Sequence, residues 1–150
     1  MFVFFYIYLG NCTLCYRNEE SNEYVYHPIN TLQLLKRISK LLSKFSKITP
    51  SIKSDFQSLL DDQIRAYHGI ADIHEFYGIE LSELAEGKIK NYITGKIYQS
   101  KSQLNSRDLL EIAKEAKKVK YLDGYVEWLN IALKKAKKEK RDKDYINTIK

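Results

Sequence analysis

HPINTLQLLKR, residues 27–37, decides the fold. Pro28 discourages helix upstream of it, and Asn30 is a residue type that caps helix starts. From there Leu35, Ile38, Leu42 and Phe45 recur at three- and four-residue spacing, with Leu34 and Leu41 widening the stripe. That periodicity predicts one long amphipathic helix from Asn30 to about residue 48. Thr49-Pro50-Ser51 interrupts the chain, and a second helix is expected from about Ser54, its stripe running Phe56, Leu59, Leu60, Ile64, Tyr67, Ile70, Ile73 and Tyr77. Gly78 is placed to end it, and Gly87 to end a short helix over 80–86, because glycine accepts the left-handed conformation that follows many helices. The first stripe keeps nearly a seven-residue period. Two such helices joined by a short break form an antiparallel pair or a coiled coil. Such a pair leaves apolar surface over, to be covered by another copy or within the chain.

Residues 91–105, NYITGKIYQSKSQLN, lose the helical period and gather Gly, Ser, Thr and Asn, which predicts a linker. Asn105 or Ser106 caps the next helix, where Leu109, Ile112, Ala113 and Ala116 supply a close-packing face. Its partner helix offers Tyr125, Leu129 and Ala132. Small residues at Ala113 and Ala132 beside a large one at Leu129 match the tetratricopeptide pattern, in which alanines let paired helices approach. RDKDYINTIK, residues 141–150, reads as the opening turns of a further repeat. The expected fold is therefore all-α: a coiled-coil-like helix pair over 18–90, a linker over 91–105, and a truncated tetratricopeptide-like hairpin over 106–150.

Residues 1–16, MFVFFYIYLGNCTLCY, read as a secretory signal, with about 17 residues removed. The apolar core at 2–9 is shorter than the roughly 20 residues needed to span a bilayer. Cys12 and Cys15 form a C-x-x-C, but no second pair completes a tetrahedral zinc site, and both are expected to leave with the leader. The net charge is +6, and residues 107–150 hold 13 basic against 8 acidic residues. Much of that excess lies in KKAKKEKRDK, 134–143. Such a run suits either a nucleic-acid footprint or a solvated helix end whose cations complement the helix dipole. No nucleic-acid motif accompanies it, so the second reading is preferred, with neither nucleic acid nor a membrane span expected.

Three blocks in this order resemble the N-terminal half of the collagen prolyl 4-hydroxylase alpha subunit. The first is His27-Pro28-Ile29-Asn30 leading to Lys36-Arg37. The second is AYHGIADIHEFYGIELSELAEGKIK at 66–90, with Ala66, Gly69, Tyr77, Leu84, Ala85 and Gly87 as landmarks. The third is EIAKEAKKVKYLDGYVEWLNIAL at 111–133, anchored on Trp128, Ala132 and Leu133. The resemblance covers roughly residues 24–133. It implies a non-catalytic part of a procollagen-proline 4-dioxygenase in the lumen of the endoplasmic reticulum, serving subunit association through a coiled-coil-like dimerisation seam of Leu35, Ile38, Leu42 and Phe45, with intrachain packing as the alternative, and proline-rich, collagen-like peptide binding. It also implies protein disulfide isomerase, the beta subunit, as a possible partner of the whole enzyme. Tyr121, Tyr125 and Trp128 are the candidate peptide contacts, with core packing as their alternative, and where the family carries paired tyrosines this chain has Leu122 and Asp123.

The family uses Fe2+, 2-oxoglutarate and ascorbate, the iron held by two histidines and a carboxylate whose local signature is His-x-Asp. Here His27 precedes Pro28-Ile29, His68 precedes Gly69-Ile70 and His74 precedes Glu75-Phe76. The sequence therefore predicts no catalytic or metal residues, no cofactor for this chain and no turnover by it alone. A free-standing helical interaction module without an attached enzyme is the alternative.

Overall fold

The structure, a computed structural model, describes residues 27–45, 50–91 and 93–149. The expected leader with Cys12 and Cys15 lies outside them, and so does the side chain of Phe45. The described residues form helices α1 (Pro28–Phe45), α2 (Pro50–Tyr77) and α3 (Leu81–Ala85), strands β1 (Lys88–Lys90) and β2 (Ile97–Gln99), then helices α4 (Ser106–Lys118), α5 (Leu122–Lys138) and α6 (Lys143–Ile149). Among the described residues the fold is all-α apart from that one hairpin. No described helix is long and apolar enough to cross a membrane.

Helix α1 begins two residues before the expected cap. Proline fits the first helical position, where no N–H is needed, so the capping role falls to the residue before Pro28. His27 takes it: the Ile29 N–H donates to His27 Nδ1 at 3.3 Å. Asn30 sits inside the first turn, buried, and accepts from Ser100 Oγ at 2.5 Å. The same preference starts α2 at Pro50 rather than near Ser54.

Each helix packs on the next in a chain of contacts, α1 on α2, α2 on α4, α4 on α5 and α5 on α6. Ile29 and Leu32 of α1, Ile70 and Ala71 of α2, and Leu109, Ile112, Ala113 and Ala116 of α4 lie in one buried cluster. Helix α5 contributes Gly124, Trp128, Ala132 and Ala136, a row at four-residue spacing. Ala113 and Ala132 are both fully buried. A row of small residues lets α4 and α5 approach closely, and Trp128 supplies the volume that the alanines leave.

Both α4 and α5 end in the same way. Tyr121 N donates to Ala116 O and Lys120 N to Lys117 O, while Arg141 N donates to Ala136 O and Lys140 N to Lys137 O. These are Schellman closures, with Lys120 (φ 66°) and Lys140 (φ 54°) in the left-handed position usually given to glycine. The basic run at 134–143 thus builds the last turns of α5 and its terminator.

The stretch expected as a linker is instead largely structured. Strand β1 pairs antiparallel with β2 in the register Lys88 with Gln99, Ile89 with Tyr98 and Lys90 with Ile97. The polar residues that suggested a linker satisfy its turns and its base. Gly87 has φ +84°, and a Cβ there would lie 2.7 Å from Ser102 O, so only glycine fits. Ser100 N donates to Gly87 O, Gln99 Nε2 to Glu86 O, and the next residues return to the core through Leu104, which is fully buried.

Asp108 joins three helices. Asn105 and Asp108 form a capping box at the start of α4, each side chain accepting from the other's backbone N–H. The Asp108 carboxylate, 1% exposed, also accepts from Lys36 Nζ at 2.5 Å and Gln33 Nε2 at 3.2 Å on α1, and from Tyr67 OH at 3.0 Å on α2. A buried carboxylate is tolerated only when its lone pairs are filled, and here they are. Burial first, and the adjacent Asp108 carboxylate second, push the Tyr67 hydroxyl's pKa up, so it stays a donor.

Candidate interaction surfaces

The three aromatic residues expected to meet a peptide divide between interior and surface. Trp128 is fully buried, and its ring meets His74 edge-on at 5.9 Å between centroids. Tyr121 is the residue before the first turn of α5, half-buried, 5.8 Å from the same histidine. Its ring lies over Gly124, where a Cβ would come within 2.0 Å of it. Burial first, then the carboxylates of Glu127, Glu75 and Asp123, raise the Tyr121 pKa. Tyr125 is half-buried, with Lys117 Nζ 5.1 Å from its ring centre. Of the three, only the two tyrosines are partly exposed.

His74 organises this end of the molecule. Its Nδ1 lies 2.8 Å from Ile79 O, which as a carbonyl can only accept, so Nδ1 carries the proton. Its Nε2 lies 3.4 Å from Glu127 Oε2, without an aligned hydrogen bond. Trp128 Nε1–H is likewise buried and unpaired. Sequence reasoning considered His74 only as a metal ligand and passed over its structural place. The signal available was position: His74 follows Ile70 by four residues, on the buried stripe of α2, where a polar side chain must find partners.

On the other side, the seam residues also divide. Leu35 packs against the intrachain core, and Ser39 beside it is buried, its hydroxyl donating to Leu35 O at 2.9 Å. Ile38 and Leu42 are half-buried between chain and solvent. Leu41 is 57% exposed and Ile64 on α2 is 46% exposed, so apolar surface remains on the outside of the α1–α2 pair. Leu41 is surrounded by Arg37, Lys40 and Lys44. The neighbouring part of α2 carries Asp55, Asp61 and Asp62 with Lys53 and Arg65, and Arg65 pairs with Asp62 at 2.5 Å.

Among the described residues no three His, Cys, Asp or Glu side chains converge as a metal site. His68 and Asp72 are 3.5 Å apart on one face of α2 and stand alone. What the fold offers is surface: tyrosine edges at one end and an apolar, charge-flanked helix pair at the other. No protein-family model, curated protein or solved structure matches this chain.

Proposed function

We propose that this chain is a non-catalytic association module, corresponding to the N-terminal portion of a procollagen-proline 4-hydroxylase alpha subunit in the endoplasmic reticulum lumen. Its α1–α2 pair joins two copies, and its α4–α5 hairpin begins the surface for proline-rich peptide. The observation that carries the reading is the exposure of Leu41 and Ile64 on helices whose inner faces are already covered. An antiparallel, two-fold arrangement sets α1 of one copy against α2 of the other. The Arg37, Lys40 and Lys44 side then meets the Asp55, Asp61 and Asp62 side, and the same patch serves both partners. Tyr121 and Tyr125 contribute aromatic edges of the kind that polyproline II segments dock on.

Sedimentation of the chain and of its Leu41→Asp, Ile64→Asp double variant tests this. Both positions are solvent-facing, so the variant keeps its helical circular dichroism, while two carboxylates in the seam reduce dimer affinity at least about a hundredfold. A parent chain that sediments as a monomer at high micromolar concentration overturns the reading.

A further inference from the structure

The β1–β2 hairpin has no role in the reading above, and its surface combines lysines with exposed isoleucines. Residues 87–101 hold Lys88, Lys90, Lys96 and Lys101 and no acidic residue, and Lys88 pairs at 3.0 Å with Glu86 just before them, so the net charge of 86–101 is +3. At its tip Ile93 is 96% exposed, and Ile97 on β2 is 58% exposed. Both would gain free energy by leaving water for an apolar environment. The described residues of the tip are held by hydrogen bonds. Asn91 Oδ1 accepts from Ile93 N at 2.9 Å and Thr94 N at 3.0 Å, Asn91 N donates to Lys96 O at 2.8 Å, and Gly95 closes the turn with φ +70°. The base is held as well, by Ser100 on Asn30 and by the fit of Gly87 against Ser102. The register places Ile97 opposite Lys90, hence on the same side of the ribbon, while Lys96 reaches over the Tyr98 ring at 4.8 Å on the other.

We infer that this hairpin docks on an anionic lipid surface, with Ile93 and Ile97 entering the boundary between headgroups and acyl chains and the lysines meeting the headgroups. Lysine is a compact point charge on an apolar stem, which suits a headgroup layer, and the segment contains no arginine for bidentate recognition of bases. Aliphatic side chains at the tip favour lipid over nucleic acid, since bases stack on aromatic rings and the Tyr98 ring, 43% exposed, already has Lys96 near one face.

Co-sedimentation of the full chain with phosphatidylcholine vesicles, with and without phosphatidylserine, tests the inference. Binding is expected to require phosphatidylserine and to weaken with added salt. It is expected to fall about tenfold or more in Ile93→Asp, as loss of one buried isoleucine implies. Because Ile93 touches little of the protein, that variant keeps its fold. Comparing it with the parent also cancels any contribution from the apolar residues 2–9. Absence of binding, equal binding to neutral vesicles, or unchanged binding by Ile93→Asp overturns the inference. So does displacement from the vesicles by a single-stranded oligonucleotide whose own binding is lost in Tyr98→Ala but not in Ile93→Asp, which assigns the surface to nucleic acid.

Discussion

His27 caps α1, a role that the sequence reading gave to Asn30. The sequence marks His27 as the start of a motif, yet its work is done by one ring nitrogen. Nδ1 must stay bare to accept the Ile29 N–H, and the ring is buried, with Nε2 unpaired. Burial lowers its pKa, and the backbones of Gly87 and Tyr98 act against this without forming an aligned hydrogen bond to Nε2. In the unfolded chain the imidazole titrates near its ordinary value of about 6.5. Below that pH the unfolded state binds a proton that the folded state resists, so stability should fall as pH drops through the window beneath about 6.5. Urea unfolding across that range should show the decline, and His27→Asn, which keeps a capping acceptor, should flatten it. An unchanged slope in the variant would show that the effect does not come from His27. Asp108 carries the complementary lesson. Its place in an Asn-x-x-Asp capping box is legible from spacing, whereas its bonds to Lys36, Gln33 and Tyr67 span 72, 75 and 41 residues of sequence and are not.

At the scale of elements, periodicity served the helices well and composition misread the hairpin. Gly78 (φ +59°) and Gly87 (φ +84°) end their helices as expected, and Ala113 and Ala132 sit in the close contact that their size suggested. The 91–105 stretch lacks a helical period because it makes turns, and Gly, Ser and Asn are equally at home in a linker and in a tight hairpin. The ends of α4 and α5 escaped notice because lysine, not glycine, fills the left-handed position. Their signal was a local repeat, AKKVKY at 116–121 and AKKEKR at 136–141. A non-glycine residue in that conformation costs about 1–2 kcal/mol, partly offset by the favourable position of a cation at a helix C-terminus. Lys140→Gly should therefore raise stability by about 0.5–1 kcal/mol in chemical denaturation, and a loss would show that the Lys140 side chain makes a larger contribution than its backbone costs.

Over the whole molecule, a single buried cluster runs from Ile29 to Ile149 and takes in every helix described. That continuity was not legible from a sequence reading that separated 18–90 from 106–150, since linear segmentation cannot see Asp108 reach back to α1. One cluster implies one cooperative transition, so urea unfolding followed by Trp128 emission and by far-ultraviolet circular dichroism should give superimposable curves. Curves that separate would mean that the α1–α2 pair detaches before the α4–α5 hairpin melts. The exposed hairpin tip adds a consequence of its own. Ile93 lies between Lys90 and Lys96 on a loop whose loss removes nothing from the interior, while core residues come from both sides of it, Ile29 and Ile70 before, Leu109 and Trp128 after. A backbone cut at the tip would leave two pieces still clasped through their shared interior. Covalent continuity there is dispensable, and the molecule is in effect two interlocking half-chains joined by a strap.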